Sequence, residues 1–69
     1  MMRAAFDNKT GSFVIADNGA QVASVPAVDA DAFERHMSRC VPPWRLYSDY
    51  GRDVAEDDAC ARWIAGDKA

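Results

Sequence analysis

Two turn signals divide the first 25 positions into three short, mostly apolar runs, which is typical of β-strands in a meander. Asn18-Gly19 lies between two such runs and favours a two-residue type I′ turn, because both central residues of that turn need positive φ. Upstream, residues 8–11 suit a four-residue loop. The pattern predicts a three-stranded antiparallel β-meander with strands at about 3–7, 12–17 and 20–25.

The two predicted turns set the pairing between the strands. The four-residue loop places Phe6 opposite Phe13 and Ala4 opposite Ile15. The Asn18-Gly19 turn predicts three further pairs, which are Ile15 with Val22, Val14 with Ala23, and Phe13 with Ser24. One sheet face then collects the core side chains Ala4, Phe6, Phe13, Ile15 and Val22. The other face is small and mixed, and carries Arg3, Ala5, Ser12, Val14, Ala16, Gln21 and Ala23.

A first helix is predicted at about 30–41. Pro26 ends the third strand, Asp29 is the expected N-cap, and Val28 and Phe33 form a hydrophobic staple. Pro42-Pro43 stops the helix. Its apolar residues repeat at helical spacing, and the predicted core-facing set is Ala30, Phe33, Met37, Cys40 and Val41.

A second helix is predicted at about 54–65. Asp53 and Glu56 form a capping box at its start, and Gly66 follows its end. Trp63 lies about 60° outside the main apolar arc, so it covers the rim of the core or belongs to a second contact surface. That arc contains Val54, Cys60, Ala61, Ile64 and Ala65.

Together these elements predict one α+β domain over residues 1–69, with a three-stranded meander followed by two helices packed on one sheet face. The eleven residues 42–52, between the first helix and the Asp53 cap, hold a short helix or a fourth strand, and the pattern does not distinguish the two. Sixty-nine residues with 49% hydrophobic content are typical of a small folded domain.

Charge and cysteine content narrow the functional classes. The net charge of −3 argues against non-specific nucleic-acid binding, which needs a basic surface. The sequence contains no pattern of a signal peptide and no apolar run long enough for a membrane span. Two cysteines in such a chain predict reduced thiols and a cytoplasmic protein.

An aromatic and basic segment between the helices is the main candidate for recognition. It contains three of the seven aromatic residues and two arginines, the residue types enriched in binding hot spots. The alternative is that this segment folds back onto the core. Its members are Trp44, Arg45, Tyr47, Tyr50 and Arg52.

Acidic residues gather at the start of the second helix. They either meet a basic groove on a partner or only complement the helix dipole. Asp57 is unusual because its position on the helix faces the apolar arc, so we expect it to pair with an arginine or to mark an oligomer contact. The cluster comprises Asp49, Asp53, Glu56, Asp57 and Asp58.

Residues with metal-binding or nucleophilic chemistry are few. His36, Cys40, Asp57 and Cys60 could converge on zinc, but their spacing lacks the pairing typical of zinc sites. A Cys40–Cys60 disulfide and a Cys–His nucleophile are further options. Buried free thiols and the absence of any cofactor are the expectation.

In size and composition the chain resembles the small accessory proteins of phages and mobile elements, including anti-CRISPR proteins. This resemblance rests on no motif and assigns no residues. It implies a non-enzymatic protein that binds and modulates a larger host protein or complex. The expected partner-binding residues are Trp44, Arg45, Tyr47, Tyr50, Arg52, Asp57, Asp58 and Trp63.

Two alternatives remain. A dimeric nucleic-acid-linked regulator, such as a repressor or an antitoxin, would bring basic residues onto one surface, and a small enzyme or metal carrier would use the histidine and cysteines. The basic candidates are Arg3, Lys9, Arg35 and Arg39. We also expect a homodimer, formed through the second sheet face or Trp63.

Overall fold

A computed structural model describes residues 1–41 and 52–66, except for the side chains of Arg52 and Asp53. The strands form one antiparallel sheet in the order β1-β2-β3, and the two helices pack against it, so the predicted α+β fold is confirmed. The short helix or fourth strand considered between the helices lies outside the described residues. The elements are β1 (Met2–Asp7), β2 (Ser12–Asp17), β3 (Ala20–Val25), a 3₁₀ turn (Ala27–Asp29), α1 (Ala30–Cys40) and α2 (Arg52–Ile64).

The pairing of β1 with β2 is as predicted. Phe6 lies opposite Phe13, and Ala4 lies opposite Ile15. The four-residue loop closes with a hydrogen bond of 2.9 Å from the Gly11 amide to the Asp7 carbonyl oxygen. Gly11 has a φ of 73°, a conformation that glycine adopts without steric cost.

The pairing of β2 with β3 is predicted correctly only at the turn. Asn18 and Gly19 have positive φ, as a type I′ turn requires, and Asp17 lies opposite Ala20. A β-bulge between Ile15 and Ala16 then shifts the pairing by one residue. The observed pairs are Ile15 with Ala23, Val14 with Ser24, and Phe13 with Val25.

The bulge changes which valine of β3 enters the core. Val22 is the extra residue and is 53% exposed, so its predicted core position is wrong. Val25 is buried in its place. Ala23 pairs with Ile15 and packs against the core, so its predicted place on the second sheet face is also wrong.

The core lies between the sheet and the two helices. Phe6, Phe13, Phe33 and Trp63 form a chain of rings with successive centroid distances of 5.1, 5.0 and 5.0 Å. Phe6 is the outermost ring and is 41% exposed, so it occupies the rim of the core. The buried hydrophobic set is Phe13, Ile15, Val25, Phe33, Met37, Val41, Ala59, Cys60 and Trp63.

The start of α1 differs from the prediction. Asp29 is the N-cap residue but its side chain makes no capping hydrogen bond, since it ends a 3₁₀ turn with φ −102° and ψ 2°, outside the extended region of a typical N-cap. Val28 is 88% exposed while Phe33 is fully buried, so the predicted staple does not form. Cys40, predicted to face the core, is exposed.

Helix α2 is rotated about its axis relative to the prediction, so that its buried side shares only Cys60 with the predicted arc. Trp63 is only 8% exposed, whereas Val54 and Ile64 are 61% and 49% exposed. Ala61 and Ala65 are exposed as well, so Cys60 is the only residue of the predicted arc that is buried. The predicted end of the helix is confirmed, because Gly66 adopts a φ of 93° and its amide donates to the Trp63 carbonyl oxygen at 3.0 Å.

Candidate partner-binding surface

The inner side of α2 uses two carboxylates to cover an edge of the sheet. The Asp57 carboxylate accepts a hydrogen bond from the Met2 amide at 2.8 Å, and the Glu56 carboxylate accepts one from the Ala4 amide at 3.0 Å. These amides belong to the outer side of β1, an edge strand. Because bonds to charged acceptors are stronger than neutral ones, they attach α2 to the sheet firmly.

This arrangement shows what the Asp57 carboxylate contacts within the chain. Its carboxylate is half-buried against the backbone of β1, and within the described residues its partner is the Met2 amide rather than the expected arginine. The expected oligomer contact stays a prediction. The hydrogen bond from this amide offsets part of the cost of removing the carboxylate from water.

His36 joins α1 to α2. The imidazole is 3% exposed, and its Nε2 lies 2.8 Å from the carbonyl oxygen of Ala59, which it contacts as a hydrogen-bond donor. Its ring centroid is 5.4 Å from that of Trp63. His36 therefore holds the two helices together from within the core.

The two thiols lie in different environments. Both cysteines are free, with Cys40 exposed and Cys60 buried. Burial, and to a smaller extent the nearby negative charges of Glu56 and Asp57, together raise the pKa of the Cys60 thiol to about 12. The Cys60 thiol is therefore protonated at neutral pH and serves as a packing group.

The four candidate metal-binding residues are not brought together. Within residues 1–41 and 52–66, no three His, Cys, Asp or Glu side chains form a group able to hold a metal ion. His36 binds a backbone carbonyl and Asp57 binds a backbone amide, so both are engaged in holding the fold.

The side of α2 that faces away from the core carries a stripe of exposed apolar side chains. We call this surface the outward α2 face. Asp58 and Arg62 flank the stripe as an ion pair with a separation of 2.8 Å, and both side chains are more than half exposed. The outward α2 face consists of Val54, Asp58, Ala61, Arg62, Ile64 and Ala65.

The predicted partner-binding residues fall into four groups. Asp58 lies on the outward α2 face, and Asp57 is half-buried against β1. Trp63 is in the core. Arg52 begins α2, but its side chain is outside the described part of the chain, as are Trp44, Arg45, Tyr47 and Tyr50.

The prediction missed the apolar members of the outward α2 face because it assigned them to the core. The available signal was the wide apolar distribution around α2, where alanine, valine, isoleucine and tryptophan occur on opposite sides of the helix. A helix with apolar residues on two sides has a second surface to cover.

The basic residues of the nucleic-acid alternative lie in different places. Arg35 and Arg39 line a hollow of about 500 Å³ on α1, together with Glu34 and Ser38. Arg3 lines another hollow, next to the β2–β3 turn. The structure therefore brings two of the four candidates together and places a third elsewhere.

Comparisons with known proteins found no matching family model, no matching curated protein and no matching solved structure. Among the described residues, neither helix has the length and hydrophobicity needed to cross a membrane.

Proposed function

We propose that this chain is a non-enzymatic protein-binding protein, and that it contacts its partner through the outward α2 face and the aromatic segment 44–52 that directly precedes this helix. The observation that carries the proposal is an apolar stripe exposed on a surface helix beside a charged pair. An apolar centre with a polar rim is the usual composition of a protein–protein interface.

The energetic argument rests on Val54 and Ile64. Fully burying an aliphatic side chain of this size contributes about 1.5–3 kcal/mol, and these two expose about half or more of their surface. A partner that covers both would gain roughly 1 kcal/mol from each. The neighbouring Ala61 and Ala65 are small, so a partner backbone or side chain can approach the helix closely.

Three of the four side chains considered for catalysis or metal binding support a binding role. His36, Asp57 and Cys60 are engaged with backbone groups or packed in the core. A nucleophile or general base must be able to reach a substrate, and these groups are turned towards the fold instead.

As for the kind of partner, we propose a larger host protein or complex, modulated by a small accessory protein of a phage or mobile element. Support comes from the 69-residue length and the acidic composition, which resemble those of anti-CRISPR proteins. Asp58 and the acidic start of α2 would then accelerate association with a basic surface, as charged residues at a rim do.

The test of this function combines binding with stability. The chain is used to capture its partner from cells of the organism that encodes it, and Tyr47→Ala and Tyr50→Ala are then compared with the wild type. We expect both variants to lose binding by about 30-fold or more while the melting temperature stays nearly unchanged, since hot-spot truncation costs about 2 kcal/mol or more. Variants that fold and bind like the wild type would exclude the aromatic segment.

A further inference from the structure

The two edge strands of the sheet, β1 and β3, differ in whether a helix covers their outward backbone groups. At β1, the carboxylates of Glu56 and Asp57 accept hydrogen bonds from the outward amides of Ala4 and Met2. At β3, no helix of the described chain covers the outer edge, and five of its six residues are partly or largely exposed. An uncovered edge strand is a template for another strand.

The direction of the β3 amides follows from the pairing. The Met2 and Ala4 amides point away from β2, and amide directions alternate along each strand and match between paired residues. The Phe13 amide therefore points towards β3, and the amide of its partner Val25 points back towards β2. The neighbouring Ser24 amide therefore points away from β2 towards solvent. Its side chain is exposed too.

Two features identify a second copy of this chain as the occupant of the edge. Strand β3 reads AQVASV and has no charged side chain, so two copies of a chain with net charge −3 can meet there without repulsion between facing charges. Among the described residues of each copy, the β1 edge is covered by α2 and the β3 edge is open. Pairing through the open edge therefore stops at two copies and produces a closed dimer.

We propose that β3 pairs antiparallel with β3 of a second copy around a two-fold axis at Ser24, forming a continuous six-stranded sheet. The two Ser24 residues would exchange a pair of N–H···O=C hydrogen bonds. The bulge at Val22 and the missing amide hydrogen of Pro26 limit the regular pairing to the residues between them. Short pairing of this kind predicts a weak dimer, with a dissociation constant in the range of about 10 µM to 1 mM.

This assembly places the two outward α2 faces at opposite ends of the dimer, because α2 lies at the β1 edge of each sheet. Dimerisation and partner binding therefore use different surfaces. A target with two copies of the binding site would then be held by both ends at once, with a gain in apparent affinity. The proposal differs from the sequence expectation, which placed the dimer contact on the second sheet face or at Trp63.

The test is sedimentation equilibrium of the full chain from about 10 µM to 1 mM, for wild type, Ser24→Pro and Ser24→Thr. Proline removes the outward amide hydrogen but no hydrogen bond within the monomer, and threonine keeps the amide. We expect wild type and Ser24→Thr to approach twice the chain mass of 7.6 kDa with rising concentration. Ser24→Pro should dimerise at least tenfold more weakly.

If circular dichroism shows that Ser24→Pro does not fold, Ser24→Lys is the second variant. Ser24→Lys keeps the backbone amide, and in a dimer it places two positive charges next to each other at the two-fold axis. Amide exchange adds a direct readout, since exchange at Ser24 should slow with concentration. A wild type that stays monomeric to 1 mM would overturn the proposal. So would a dimer that Ser24→Pro and Ser24→Lys leave intact, or one that Ile64→Lys on α2 abolishes.

Discussion

Replacing Trp63 with alanine tests which side of α2 faces the core. Trp63 is 8% exposed and packs edge-on against Phe33, with ring centroids 5.0 Å apart and an interplanar angle of 82°. Truncation of a buried tryptophan costs about 3–5 kcal/mol. The neighbouring residue Ile64 is 49% exposed, so Ile64→Ala should change stability by no more than about 0.5 kcal/mol.

The size of the Trp63 effect matters because the domain is small. At about 0.05–0.15 kcal/mol per residue, 69 residues have a total stability of roughly 3–10 kcal/mol. Trp63→Ala therefore removes about a third or more of the total stability, and it unfolds the chain at 25 °C if the total lies at the low end of this range. The assay is urea unfolding followed by far-ultraviolet circular dichroism, which does not depend on tryptophan fluorescence.

The refuting result is a reversal of the two effects. If Ile64→Ala destabilises the domain by 2 kcal/mol or more and Trp63→Ala is nearly neutral, α2 presents its aliphatic side to the core. The outward α2 face would then not exist. Equal losses in both variants would contradict the observed exposure of Ile64 as well.

Three further predictions concern β3, the β1 edge and the thiols. Val22→Asp should fold with a stability within about 0.5 kcal/mol of wild type by urea unfolding, since Val22 is exposed in the bulge, and an unfolded variant would contradict the pairing. Asp57→Ala should lose about 1 kcal/mol in the same assay through its bond to the Met2 amide, and an unchanged midpoint would show that the bond contributes nothing. Cys40 should react with a thiol reagent in the native protein and Cys60 only after unfolding. The pKa of the Cys60 thiol is about 12 in the folded protein and about 9 in the unfolded chain, so on raising the pH the thiol is deprotonated first in the unfolded chain. The free energy of unfolding of the wild type, compared with Cys60→Ala, should therefore fall between about pH 9 and 12, by up to about 1.4 kcal/mol per pH unit.

The sheet shows what local sequence signals can predict. The β1–β2 pairing and the Asn18-Gly19 turn were predictable because loop length and positive-φ residues determine hairpin geometry. The bulge was not predicted from alternation, although Val22 and Val25 are three positions apart. That spacing cannot place both on one face of a regular strand, so one of them had to leave the core.

The orientation of α2 was beyond a helical wheel because apolar residues occur on both of its sides. Two tertiary effects decide it. Trp63 has the larger surface to bury, and it meets Phe33 and His36. About two turns earlier, the Glu56 and Asp57 carboxylates reach the outward amides of Ala4 and Met2 only when the helix has this orientation. His36 was considered as a metal ligand, and its bond to the Ala59 carbonyl depends on a contact between helices that the sequence does not reveal.

The central claim is that the outward α2 face binds the partner, and one comparison tests it most directly. Ile64→Lys disrupts the apolar stripe, and Val28→Lys introduces the same charge at a site that is 88% exposed in the 3₁₀ turn before α1. Lysine near the C-terminal end of α2 also complements the helix dipole, so Ile64→Lys should fold normally. Titration calorimetry against the purified partner should show binding weakened at least tenfold by Ile64→Lys and unchanged by Val28→Lys. Equal affinity for wild type and both variants would contradict the claim.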